Sequence, residues 1–177
     1  MTYCPSRNLI LRENRNLYCT CIIHLIRNIF SSIIKGLINS KENIIFPIHP
    51  RTKKRLYEFG LYEKLSQNKN IQILNSVGYF DILELMKNCS FIVTDSGGIQ
   101  EEATSPVIRK KVLVIRKTTD RPEAVESNLS KIIGLDEKNI SKSIKKTVIN
   151  PKLYSKKIPY GKGDASEKIL KLLQKHF

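Results

Sequence analysis

The sequence predicts a doubly wound parallel α/β sheet, Rossmann-like, with helices on both faces. Three observations predict it. Short, near-continuously apolar runs recur along the chain, among them Ile44-Ile45-Phe46-Pro47-Ile48, Phe91-Ile92-Val93 and Val112-Leu113-Val114-Ile115. Segments with helical spacing of apolar residues separate these runs. Unbroken apolar strands are buried on both faces, which a parallel sheet covered by helices provides. The third observation is length: 177 residues suffice for one domain with a sizeable core.

Taken in order, Arg7 to Leu11 reads as a short strand and Arg12 to Asn16 as a polar loop. Leu17 to Ile38 has a helix's length and is apolar on most faces; it ends near Gly36 and Asn39, both stop residues. One buried helix is expected over 17–38. It is too interrupted for a membrane span, because His24, Arg27, Asn28, Lys35 and two serines leave no run near the ~20 apolar residues required. Ile44 to Ile48 is a strand, broken by His49-Pro50. Arg51 to Phe59 is a basic amphipathic helix ending at Gly60, and Leu61 to Asn70 a connector. Ile71 to Leu74 is a strand, and Gly78 turns the chain into a helix over Tyr79 to Asn88 with apolar residues at 79, 82, 83, 85 and 86. Ser90 to Thr94 is a strand and Gly97 to Thr104 a helix. Strands follow at Lys111 to Ile115 and at Ser130 to Ile133, the last closed by Gly134. Helices are expected at about 137–149 and 165–175, the second capped by Asp164.

A net charge of +15 raises nucleic acid as a partner. Of the 31 basic residues, 22 are Lys and 9 are Arg, and the lysines are spread along the chain. Nucleic-acid readers add arginine and exposed aromatics to their charge, so the composition argues against that partner. Cys4, Cys19, Cys21 and Cys89 have no zinc or redox spacing, and His24, His49 and His176 are far apart. Free thiols in a reducing cytoplasm are expected, with no metal motif and no membrane segment. The N-terminus lacks a basic start followed by an apolar core and a cleavage site.

In a doubly wound sheet, ligands sit beyond the carboxyl ends of the strands. Thr94-Asp95-Ser96-Gly97-Gly98-Ile99-Gln100-Glu101-Glu102 occupies such an end. A helix that begins at Ser96-Gly97-Gly98 leaves its first amides free and its dipole positive, which suits a phosphate. The same residues also make an ordinary N-capped turn. Gln100, Glu101 and Glu102 follow inside the first helical turns, where the dipole favours a carboxylate without any function, yet a carboxylate facing a ligand there can also hold ribose hydroxyls. Arg116-Lys117-Thr118-Thr119-Asp120-Arg121-Pro122-Glu123 is either a solvated loop or an anion-binding one. His49 is either a ligand donor or a structural histidine.

Together the stretches 94–103, 112–125 and 159–166 resemble the C-terminal half of the non-hydrolysing UDP-N-acetylglucosamine 2-epimerases. Ile45-Phe46-Pro47-Ile48-His49-Pro50-Arg51 and Gly78-Tyr79-x-x-Ile82 resemble that family too, so the similarity covers about 40–175. The resemblance implies one half of a glycosyltransferase-B type two-domain architecture, with the active site in the cleft between the halves. It implies an isomerase that interconverts UDP-N-acetylglucosamine and UDP-N-acetylmannosamine by elimination of UDP to a glycal and re-addition, with no metal and no nicotinamide or other cofactor. Carried over by position, Ser96, Gly97 and Gly98 hold the diphosphate, Glu102 the ribose, and Arg121 lines the same pocket. Ile82 matches a place where backbone meets the uracil.

The family's catalytic carboxylates belong to its N-terminal domain, which is expected to be absent, with residues 1–177 forming a single C-terminal UDP-sugar-binding domain. Ile10 stands at or near the family's histidine in Ile10-Leu11-Arg12-Glu13-Asn14. Ser127-Asn128-Leu129 lacks the usual glycine-containing turn. The chain is therefore expected to bind a UDP-sugar and to be inactive alone. Its expected partner is a separate N-terminal epimerase half, or a second copy as a homodimer. The rival readings are a subunit of a split epimerase and a non-catalytic, basic nucleic-acid-binding module.

Overall fold

The computed structural model describes residues 17–20, 26–75, 77–153 and 155–176. Its strands are β1 (Leu17–Thr20), β2 (Ile44–Pro47), β3 (Ile71–Leu74), β4 (Phe91–Thr94), β5 (Val112–Val114) and β6 (Ser130–Ile132). All pair in parallel, in the order β3-β2-β1-β4-β5-β6. The helices are α1 (Arg27–Ser40), α2 (Pro50–Glu58), α3 (Tyr62–Ser66), α4 (Tyr79–Asn88), α5 (Gly97–Thr104), α6 (Pro122–Glu126), α7 (Glu137–Ile149) and α8 (Ala165–His176).

Side-chain alternation along the strands builds two cores. Ile44, Phe46, Phe91, Val93 and Leu113 face one cluster, filled by Phe30, Ile33, Ile34 and Leu37 of α1 with Ile140 and Ile144 of α7. Ile45, Ile92, Val112 and Val114 face the other, filled by Leu85 and Met86 of α4 and Ala103 of α5. β2, β4 and β5 are buried along their whole length, on both faces, which is why their sequences read as unbroken apolar runs. The α1–α7 contact depends on Gly36: a Cβ there would lie 2.9 Å from Ile140 Cβ and Cγ2 and 3.0 Å from the Glu137 carbonyl oxygen.

The expected helix over 17–38 is corrected. Leu17–Thr20 is a strand paired with both β2 and β4, and the helix begins at Arg27. A short apolar run reads the same in sequence whether it is strand or helix, and only its pairing decides. Four residues with tyrosine, cysteine and threonine among them suit the strand. The connector at 61–70 carries the short α3, and the polar segment after β5 runs into α6 at Pro122, a favoured first helical residue. The remaining elements fall where expected, to within a residue or two. The strand expected at Arg7 to Leu11, and Glu13 and Asn14, lie outside the described residues. Asn128 takes φ 59°, a left-handed conformation that glycine adopts freely and that asparagine tolerates.

The strand order reverses between β1 and β4, with Thr20 beside Thr94. That switch point is where neighbouring crossovers leave in opposite directions and open a crevice at the carboxyl edge.

Candidate functional site

Thr94 ends β4 at the switch point, and its Oγ1 accepts a hydrogen bond from the Ser96 amide at 3.0 Å. That bond turns the chain out of the sheet. Ser96 then caps α5: its backbone is extended, and its Oγ accepts from the Ile99 amide at 3.4 Å. The next amides, of Gly97 and Gly98, have no acceptor within the helix, because its geometry supplies none. They stand at the positive end of the α5 dipole.

Neither glycine is required by the fold. Both have ordinary negative-φ or extended backbone rather than a left-handed one. A Cβ on Gly98 would meet only Ser96 Oγ, at 3.9 Å. A Cβ on Gly97 would make ordinary contacts, 3.4 Å from Asp120 Oδ2 and 3.6 Å from Arg121 Cζ and Nη2. The bare backbone therefore leaves space on the outside of the turn, open to a ligand that approaches closely.

Arg121 borders that space. It precedes α6 at the end of the loop after β5. Its Nε donates to Glu101 Oε1 and its Nη1 to the Asp120 carbonyl at 2.8 Å. Its own amide donates to Thr119 Oγ1 at 3.1 Å. These bonds leave Nη2 as the nitrogen nearest Gly97. Arg116 Nη1 pairs with Asp120 Oδ1 at 2.6 Å. Asp120 is held below the usual carboxylate range, first by its own backbone N–H and then by Arg116 and Arg121. The bond to Glu101 raises the Arg121 guanidinium, which stays charged.

Glu102 is half-buried and turned toward α4. Burial pushes its carboxyl up; a hydrogen bond from Tyr79 opposes the shift and the Glu101 charge adds to it. Tyr160, from the loop before α8, donates to Glu123 Oε2 at 3.4 Å. Three stretches far apart in sequence thus meet at one carboxyl edge.

The structure brings Ser96, Gly97, Gly98 and Arg121 to one patch, with Glu102 one helical turn along and facing Tyr79. His49 caps α2, at the carboxyl end of β2; its Nδ1 accepts from the Arg51 amide at 3.2 Å. Ile82 packs against the second core cluster. Asp164 pairs with Lys168 Nζ at 2.9 Å, one turn into α8. Sequence reasoning missed Glu101 as the partner of Arg121, and it missed Gln100 and Thr119 as links between α5 and the loop after β5. The available signal was a glutamine four residues after the cap, on the inward face of a helix. Among the described residues, no group of three or more His, Cys, Asp or Glu side chains could hold a metal ion. No helix among them is long and apolar enough to cross a membrane.

A parallel sheet in this order, with a glycine-led helix at its switch point, defines a Rossmann-like domain, one half of the two-domain glycosyltransferase-B architecture. The chain belongs to the UDP-N-acetylglucosamine 2-epimerase family, whose sequence profile matches residues 13–174. It is 39% identical over 148 residues to the Methanocaldococcus jannaschii UDP-N-acetylglucosamine 2-epimerase, covering 84% of this chain and 39% of that protein. The crystal structure of the M. jannaschii enzyme in complex with UDP-GlcNAc and UDP superposes with a TM-score of 0.78 at 35% identity, over 91% of this chain and 45% of that one. The Neisseria meningitidis enzyme bound to UDP-GlcNAc gives 0.72 at 31%, over 92% and 45%. A glycosyltransferase involved in avilamycin A biosynthesis, 11% identical with a TM-score of 0.56, shares the fold alone. The chain spans less than half the length of these epimerases.

Proposed function

We propose that this chain is the nucleotide-binding half of a UDP-N-acetylglucosamine 2-epimerase. In this reading the amides of Gly97 and Gly98 and the Ser96 hydroxyl hold the diphosphate of a UDP-sugar. Arg121 neutralises the same group, and Glu102 accepts hydrogen bonds from the ribose hydroxyls. The observation that carries it is the pair of glycines that neither φ nor packing requires, with a guanidinium nitrogen beside Gly97. Relatives that match over most of this chain bind UDP-GlcNAc and UDP, which supports the same ligand here.

The chemistry requires a base for the poorly acidic C2 proton and stabilisation of the departing UDP. The described site supplies the second. Its carboxylates have other duties: Glu101 and Asp120 hold arginines, and Glu102 is the acceptor for the ribose. The proton-transfer groups come from an N-terminal half, on the same polypeptide or a separate one. The exposed apolar residues Ile169, Leu170, Leu172 and Leu173 of α8 are consistent with a surface that such a half covers.

Titration calorimetry with UDP is the test. Saturable binding is expected, and no heat and no thermal shift at millimolar UDP overturns the reading. The 177 residues alone are expected not to convert UDP-N-acetylglucosamine, and turnover by the purified chain overturns the assignment of proton transfer to another half.

A further inference from the structure

Gln100 is fully buried on α5, and both ends of its amide are committed. Its Nε2 donates to the Ser96 carbonyl at 3.3 Å, and its Oε1 accepts from Thr119 Oγ1 at 2.8 Å. The Thr119 oxygen in turn accepts from the Arg121 amide at 3.1 Å. Four residues therefore form one continuous relay, from the residue that caps the glycine turn to the arginine beside it. A buried amide without partners is costly, so each bond fixes the next. Glu101, the neighbour of Gln100 on the same helix, separately takes the Nε of Arg121. The helix that presents the amides thus also fixes the backbone and side chain of the arginine.

We propose that Gln100 and Thr119 are positioning residues that hold the Arg121 guanidinium at a set distance from the Gly97 and Gly98 amides, so that both engage one diphosphate. This rests on the UDP-binding reading above. The hydroxyl of Thr119 has two duties, donor to Gln100 and acceptor from Arg121. An isosteric methyl can perform neither, and a serine can perform both. The relay is uncharged, so breaking it leaves the field at the site unchanged and alters only alignment.

The test is UDP affinity by calorimetry for wild type, Thr119→Val, Thr119→Ala and Thr119→Ser, alone and in an Arg121→Ala background, with urea midpoints measured in parallel. Loss of one aligned hydrogen-bonding link predicts UDP binding weaker by about three- to tenfold in Thr119→Val and Thr119→Ala. Thr119→Ser is expected to restore it. In the Arg121→Ala background Thr119→Val is expected to weaken binding no further, because the residue it positions is gone. Unchanged UDP affinity in folded Thr119→Val, or an undiminished effect without Arg121, overturns the proposal while leaving the UDP site standing. A wild-type chain that fails to bind UDP overturns both.

Discussion

Gly98→Ala separates what the fold needs from what the ligand needs. On the folding side there is room, since the added Cβ meets only Ser96 Oγ at 3.9 Å and the backbone is not left-handed. Alanine at a compatible position restricts the unfolded chain and stabilises by about 0.4–1 kcal/mol. The gain lies at the lower end here, because the residue sits in the first turn. On the binding side the same methyl stands over the amide of a helix N-terminus and blocks close approach. Losing one charge-assisted amide–phosphate bond costs about 1.5–3 kcal/mol, roughly a 10- to 150-fold weakening. Urea denaturation is expected to show an equal or higher midpoint, and calorimetry a UDP affinity lower by at least about tenfold. Wild-type affinity in Gly98→Ala would refute the claim that the bare backbone faces a ligand. A large drop in the urea midpoint would show that the glycine serves the fold instead.

Gly36→Ala is the mirror case. Its Cβ meets the β-carbon of Ile140 and the backbone of α7 at 2.9–3.0 Å, neither of which can rotate away. Overpacking costs about 1–3 kcal/mol and the helix-propensity gain of about 1 kcal/mol offsets part of it. A lower urea midpoint with unchanged UDP affinity is expected, and equal or greater stability refutes the packing. For Glu102, burial raises the folded pKa above the unfolded one. The folded state therefore keeps the proton to higher pH, so stability falls as pH rises through the window between the two values. Glu102→Gln is expected to be more stable than wild type at neutral pH, to lose that pH dependence and to bind UDP more weakly. Lower neutral-pH stability together with undiminished UDP affinity contradicts it.

Most elements were legible because short apolar runs such as Phe91-Ile92-Val93 and Val112-Leu113-Val114 are bounded by turn residues and flanked by segments of helical spacing, so length and punctuation decide what periodicity alone does not. Leu17–Thr20 was not, because its apolar surroundings extend into α1 and the two periods cannot be separated over four residues. Only pairing with β2 and β4 settles it, and pairing is a contact between residues far apart in the chain. The site divides along the same line. Ser96, Gly97 and Gly98 were legible as a helix start because a cap, two glycines and a preceding apolar run are local chemistry. Arg121 was legible only as one charge in a polar loop, and the three-way resemblance singled it out. That it lies beside Gly97, held by Glu101, Thr119 and Asp120, depends on β4 and β5 being neighbours. The sequence by itself determined the class of fold, the turn that can hold an anion and the family. The tertiary structure alone decided which charges converge on that turn and which polar side chains aim them, because side-chain hydrogen bonds between two strand-end loops have no periodicity along the chain.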